Sequence, residues 1–230
     1  MAVSKAPRRT SLHWPEAWRI VPSRFPPRGV FDRIASPDDL EALFAIESLT
    51  NARLRQELGQ LDLVPRARRV SGPGTQPIMA AFTHLNPDGS RFSDGSYGVF
   101  YAARALETAV AETMYHRARF MAATREPAMK LEMRCYRTAI EGRLHDLRKG
   151  WATMLHPTDY GPPQALAREL RAAGSDGVVY PSVRHAGGEC VGVFHPDLIK
   201  PCVQAQHLIY SWDGERLSAQ YAVATLHTAD

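Results

Sequence analysis

Five side chains of the kind that bind phosphates or act in catalysis stand in three short stretches of the sequence. Arg19 belongs to "WRI", near the start, and Ser182 belongs to "VVYPSVR", near the end. Between them, "RFSDGSYGVFYAARALETAVAET" begins with Arg91 and carries Tyr101 and Glu112 at intervals of ten and eleven residues. These five residues are the candidates for a functional site.

Their types suit a ligand that contains phosphate groups and a ribose. Two arginines, Arg19 and Arg91, could each grip a pyrophosphate through a planar guanidinium fork. Tyr101 could stack on a flat ring. Glu112 could hold the ribose hydroxyls and stabilise positive charge at the anomeric carbon, as an oxocarbenium-like transition state requires.

Each residue also has an ordinary structural interpretation. Arg91 would then be a loop cation, Tyr101 a core aromatic, Glu112 a solvated helix residue and Ser182 a cap at a strand end. The spacing alone does not decide between the two interpretations, and both stay open at this point.

Other kinds of site have no motif in this chain. The nine histidines show no HxH or HExxH spacing, so we expect no metal. There is no GxGxxG, and the "GPGTQP" segment lacks the Lys and Ser or Thr of a phosphate-binding loop.

Composition indicates a globular protein of the reducing cytoplasm. Apolar residues make up 44% of the 230 residues, and no apolar run approaches the roughly 20 residues that span a bilayer. The first residues contain no apolar stretch typical of a secretory signal. The three cysteines show no CxxC spacing, which argues against a disulfide framework.

The positive charge of the chain does not by itself indicate nucleic-acid binding. The net charge is +4, and four of the 28 cationic residues are Lys, which leaves 24 Arg. These arginines are scattered along the chain rather than grouped on one predicted element. We therefore expect no direct nucleic-acid binding by this chain alone.

The elements that must position the candidates mix without regular βαβ alternation, which favours the α+β class. Residues 1–16 are rich in Pro and Arg and are predicted to form an extended arm, followed by a single domain over 17–230. Helices are predicted over 105–123 and 162–173, and another is predicted to begin with Ser36 as N-cap and Pro37 at N1. Strands are predicted over residues 17–22, 77–82, 97–103, 128–140, 142–147, 177–184, 189–198 and 201–212.

Three motifs in this order resemble the RES domain, the toxin half of bacterial toxin–antitoxin modules. "WRI" resembles its aromatic–Arg strand, "SRFSDGSYGVFYAARALETAVAE" its central motif, and "YPSVR" its Ser motif. The chain departs from the family pattern where Phe92 and Ser93 replace a Trp and an Asn. About seventy residues, including an added helix, separate the first two motifs. The likeness covers roughly residues 17–200.

The resemblance implies a fold similar to ADP-ribosyltransferases, with a mixed β core flanked by helices, and NAD as the substrate. Arg19 and Arg91 would bind the NAD phosphates, and Tyr101 would line the nicotinamide–ribose pocket. Glu112 would be the catalytic carboxylate, and Ser182 matches the Ser of the family.

The resemblance also implies a set of activities and partners. Some RES proteins degrade NAD by hydrolysis or by phosphorolysis. Others transfer ADP-ribose to a protein, including a phosphoribosyl-pyrophosphate synthetase. A cognate antitoxin of the Xre/ParS type would cover the site, and we allow for a homodimer. The rival from another class is a non-catalytic nucleotide-binding module.

Overall fold

The computed structural model describes residues 6–24, 29–34, 36, 38, 39 and 59–221. The strands of this part of the chain are β1 (Arg9–Pro22), β2 (Phe100–Ala103), β3 (Met129–Asp146), β4 (Gly177–Pro181), β5 (Glu189–Val193), β6 (Val203–Trp212) and β7 (Leu217–Tyr221). The helices are α1 (Val30–Arg33), α2 (Gln76–Thr83), α3 (Leu106–Thr124) and α4 (Gly161–Ala172), with short 3₁₀ turns at Leu61–Leu63, Arg66–Arg68, Ala152–Leu155 and Pro196–Leu198.

The strands form one mixed sheet in the order β1-β2-β5-β4-β3-β6-β7. Only β3 and β4 run parallel, and the other neighbours are antiparallel. The long strand β3 also pairs with β1 over nearly the whole length of β1. Strands β1, β2, β5, β4 and β3 therefore close into a ring.

The ring is closed weakly at the junction of β1 and β2. A single register pair, Trp18 with Ala103, joins these two strands. Along β1 a bulge between Trp14 and Ala17 shifts the register with β3. Pro15, which cannot donate a ladder hydrogen bond, lies within that bulge. A cavity lies beside this junction, lined by β1, α2 and the segment that leads into β2.

The two faces of the sheet carry separate cores. Side chains alternate along a strand, so Phe100 and Ala102 of β2 lie on the face covered by α1 and α2. Tyr101 and Ala103 lie on the face covered by α3 and α4. The candidate residues of the sheet are therefore divided between two layers.

The structure confirms the α+β class: a large mixed sheet is flanked by helices. The helices predicted over 105–123 and 162–173 are present as α3 and α4. The strands predicted over 177–184 and 189–198 contain β4 and β5, which pair antiparallel. The predicted N-cap bond at Ser36 is present, since its Oγ accepts the Asp39 N–H at 3.2 Å. The rest of that predicted helix lies outside the described residues.

Some predicted elements were wrong. The strand predicted over 77–82 is the helix α2, which begins with Pro77 in its first turn and buries Ile78, Met79 and Phe82. A short apolar run fits a buried strand or a buried helix equally well, and the first-turn Pro was the distinguishing sign.

Other strands also differ from the prediction. The predicted arm is part of the sheet from Arg9 onward, because it pairs with the second half of β3. The strands predicted over 128–140 and 142–147 are the single strand β3, in which Gly142 packs beneath Leu198. A further strand, β7, follows the last predicted one.

Candidate functional site

The carboxylate of Glu112 is held from one side. Glu112 lies on α3 and faces the turn that follows β4, where Pro181 ends that strand. Its Oε1 accepts the Ser182 hydroxyl at 2.6 Å and the Val183 N–H at 3.2 Å. Among the described residues, no group donates to Oε2. One carboxylate oxygen is therefore fixed, and the other is available to a ligand.

The turn around Ser182 determines where its hydroxyl proton goes. The Ser182 Oγ accepts the backbone N–H of Arg184 at 3.1 Å and of His185 at 3.0 Å. With these two acceptor bonds made, the hydroxyl proton is directed to Glu112. Gly188 allows the turn to approach α3, because a Cβ there would lie 2.6 Å from the Thr108 Oγ1.

Tyr101 uses its hydroxyl to hold the segment that carries Arg91. The Tyr101 Oη accepts the Phe92 N–H at 2.9 Å and shares a hydrogen bond with the Ser90 hydroxyl at 2.8 Å. Burial raises the pKa of Tyr101 well above its usual value, so the phenol stays neutral.

Arg91 is buried and bound to main-chain carbonyls. Its Nη1 donates to the carbonyl of His156 at 2.8 Å and to that of Met154 at 3.3 Å. Its guanidinium lies over the ring of Tyr160, 4.7 Å from the centroid. The side chain thus points at the segment between β3 and α4.

Arg19 occupies a different position, in a cavity of about 740 Å³ at the junction of β1 and β2. Its Nη1 donates to the Tyr101 carbonyl at 3.0 Å, and its guanidinium stacks over Phe100 at 4.6 Å. Desolvation lowers the pKa of Arg19 to about 10, so the group remains charged at neutral pH. Its Nε is buried without a hydrogen-bond partner.

The cavity is suited to an anion. Arg19, Arg24 and His84 line it, and none of the described residues that line it is acidic. A cation taken out of water without a carboxylate partner is costly, and a bound anion would offset that cost. The rest of the lining is partly apolar, with Val21, Leu85 and Val99, and partly serine or tyrosine, with Ser90, Ser93, Tyr97, Tyr101 and Tyr136.

The sequence-predicted residues therefore fall into two connected groups. Glu112 and Ser182 are in direct contact, and Tyr101 links Arg19 to the loop of Arg91. Burial raises the pKa of Tyr180 well above its usual value; Glu112 adds to that rise and Arg91 opposes it. Both charges are thus close to Tyr180.

Arg19 and Arg91, to which the resemblance assigns the NAD phosphates, do not line the same cavity. Ser90 and Ser93 line the cavity, whereas Arg91 does not and is bound to the carbonyls of residues 154 and 156. Arg184 was not among the sequence-predicted candidates, although it lies in the turn whose Ser182 binds Glu112. Its position two residues after Ser182, in the same motif, was the available signal.

Two other features are absent from the described residues. No group of three or more His, Cys, Asp or Glu side chains is placed to hold a metal ion. No helix in the same residues is long and apolar enough to cross a membrane.

The side chain of Tyr101 offers a direct test of the local architecture. We predict that Tyr101→Phe lowers the free energy of unfolding by about 1–3 kcal/mol, because it removes the acceptor for the Phe92 N–H. Thermal unfolding measures the change. Ser96→Ala, which removes an exposed hydroxyl bonded to Asp94, is the control. Equal melting temperatures for the two variants would contradict the role given to the phenol.

Comparison with known proteins assigns the class. The RES domain model matches residues 65–213, so the chain belongs to the RES family. The protein y4oC of Sinorhizobium fredii (strain NBRC 101917 / NGR234), described as uncharacterized, is 35% identical over 214 residues, covering 90% of this chain and 87% of that protein. Among solved structures, the M. tuberculosis MbcT–MbcA toxin–antitoxin complex matches with a TM-score of 0.44 and 13% identity, covering 91% of this chain and 87% of the matched one.

Proposed function

We propose that this RES-family chain cleaves the bond between nicotinamide and ribose in NAD. The observation that carries the proposal is the carboxylate of Glu112, which is fixed through Oε1 and receives no hydrogen bond at Oε2 from the described part of the chain. When the bond breaks, the electron pair leaves with the nicotinamide nitrogen and positive charge develops on the ribose. A preorganised carboxylate beside the anomeric carbon stabilises that charge.

Arg19 supports a phosphate-bearing substrate. Its charge is desolvated, its Nε is unpartnered, and the cavity it lines holds no acidic group among the described residues. The cavity volume of about 740 Å³ falls within the range of roughly 300–1,000 Å³ that is typical of small-molecule sites. Tyr101 borders this cavity and packs in the core that also contains Leu106 and Ala109 of α3, the helix that carries Glu112.

The acceptor of ADP-ribose distinguishes the versions of this activity. Water gives a glycohydrolase and inorganic phosphate gives a phosphorylase. A protein side chain gives a mono-ADP-ribosyltransferase, whose target could be a phosphoribosyl-pyrophosphate synthetase. The same carboxylate would act on the same bond in each case. A non-catalytic nucleotide-binding module would need no carboxylate held at this position.

The experiment is to incubate the purified protein with NAD, with and without phosphate, and to identify the products by mass spectrometry. Nicotinamide with ADP-ribose indicates hydrolysis, and nicotinamide with a phosphorylated ADP-ribose indicates phosphorolysis. A labelled protein band from tagged NAD in a cell extract indicates transfer. Absence of nicotinamide release in all three assays would reject the proposal.

We further propose that the chain is the toxin component of a toxin–antitoxin pair and acts in the cytoplasm. The membership of the RES family and the resemblance of its motifs to RES toxins support this role. The partner would be an Xre/ParS-type antitoxin that covers the region of Arg91, Tyr101 and Glu112. A carboxylate of the partner could occupy the place of a phosphate, since arginine accepts either anion. A homodimer remains a separate hypothesis.

Expression in a bacterium that lacks the partner tests this role. We expect growth to stop and cellular NAD to fall, because the enzyme would consume a shared cofactor. NAD and growth are measured together, with the Glu112→Gln protein as the control for expression burden. Normal growth and normal NAD with intact, folded protein would contradict a toxin that degrades NAD.

A further inference from the structure

The two arginines that the structure does bring together are Arg91 and Arg184. Arg91 donates to the carbonyls of Met154 and His156, and Arg184 donates through Nη2 to the carbonyl of Pro157. Two cationic side chains from different loops therefore meet on the same short stretch of main chain, residues 154–157. That stretch carries no carboxylate that would neutralise them.

Arg184 is also close to the catalytic carboxylate. Its backbone N–H donates to the Ser182 Oγ, and Ser182 in turn donates to Glu112. Its guanidinium lies over the ring of Tyr115, 3.3 Å from the centroid. Tyr115 follows Glu112 by three residues on α3, so both project from the same side of the helix.

The donor capacity of Arg184 is incompletely used. Its Nε is buried without a hydrogen-bond partner, and the partners of its guanidinium among the described residues are the Pro157 carbonyl and the ring of Tyr115, neither of which is a carboxylate. The hydroxyl of Tyr160, beneath the guanidinium of Arg91, is likewise buried and unpartnered. Two guanidinium groups bonded to neutral carbonyls are poised to form stronger bonds with an anion, because charge-assisted hydrogen bonds exceed neutral ones.

We propose that Arg91 and Arg184 form a phosphate-binding pair beside Glu112, and that the carbonyls of residues 154–157 occupy this pair until a phosphate displaces them. The proposal rests on the proposed function for the class of ligand, since the phosphate belongs either to the dinucleotide or to free inorganic phosphate. It assigns Arg184 as a substrate-binding residue and residues 151–160 as a segment released on binding.

The test measures binding and local exchange without catalysis. Hydrogen–deuterium exchange is followed for peptides that cover residues 151–160, with ADP-ribose, inorganic phosphate or adenosine added. We expect ADP-ribose to raise exchange in this segment and adenosine, which lacks phosphate, to leave it unchanged. A rise with inorganic phosphate alone would assign the site to free phosphate, and a rise only with ADP-ribose would assign it to the dinucleotide.

Variants separate a binding role from a purely structural one. Arg184→Ala is expected to raise the Kd for the effective ligand about tenfold or more. Arg184→Lys keeps the charge but loses the planar fork, so it should retain the melting temperature and still bind more weakly. Arg137→Ala, which removes an exposed guanidinium paired with Glu16 at 3.5 Å, is the matched control.

Several outcomes would overturn the proposal. If both Arg184 variants bind the ligand with unchanged affinity, Arg184 has only a structural role. If no phosphate-bearing ligand raises hydrogen exchange over residues 151–160, then this segment and the ligand do not compete for the two arginines. Neither result depends on NAD turnover, so the proposed reaction could fail or succeed separately.

Discussion

Glu112→Gln is expected to reduce the rate of NAD cleavage by about 10² or more while leaving the protein folded. The glutamine that replaces Glu112 can still accept the Ser182 hydroxyl and the Val183 N–H through its amide oxygen. The group at the position of Oε2 becomes a neutral amide. The stabilisation of positive charge on the ribose is lost, and losses of single preorganised electrostatic contacts are on this scale.

Glu107→Gln is the matched control for this variant. Glu107 lies on the first turn of α3, is exposed, and should tolerate the same chemical change without effect. Initial rates of nicotinamide release and melting temperatures are measured for both variants and the parent protein. If Glu112→Gln releases nicotinamide at a rate close to that of the parent protein, Glu112 has no catalytic role, whatever the control shows.

Helix α3 and its carboxylate could be predicted from the sequence because their signals are local. The helical spacing of Leu106, Val110 and Met114 indicates the element, and "YPSVR" indicates a strand that Pro181 ends. The contact between Glu112 and Ser182 needed only that the turn after β4 pack on this helix. Local patterns of this kind can be recognised in a sequence without knowledge of the tertiary fold.

The orientations of the arginines could not be predicted in the same way. The carbonyls of residues 154 and 156 orient the side chain of Arg91. Every residue type has a backbone carbonyl, so the sequence does not indicate which carbonyls an arginine will bind. The guanidinium of Arg19 and the side chain of Tyr101 lie on opposite sides of β2. This placement depends on the alignment of β1 with β2, which a single register pair defines. Spacing in sequence gives no register between distant strands.

Arg19→Met is expected to weaken the binding of NAD and of ADP-ribose by about 10- to 100-fold. A hydrogen bond to a charged group contributes about 1.5–3 kcal/mol, and each 1.4 kcal/mol corresponds to a tenfold change in affinity. Arg19→Lys should also bind more weakly, because a point charge does not replace the planar fork that can contact two phosphate oxygens.

The stability of Arg19→Met should stay close to that of the parent protein, whereas the loss of an arginine with a purely structural role would lower it. Arg19 is desolvated and has no carboxylate partner among the described residues, so removing its charge relieves a cost that offsets the lost bond to the Tyr101 carbonyl. The methionine retains apolar packing over Phe100. We therefore expect a melting temperature close to that of the parent, together with weakened binding measured by calorimetry. Parent-like affinity would exclude the cavity as the phosphate site. A large fall in melting temperature with unchanged affinity would instead give Arg19 the role of a structural cation that ties β1 to β2.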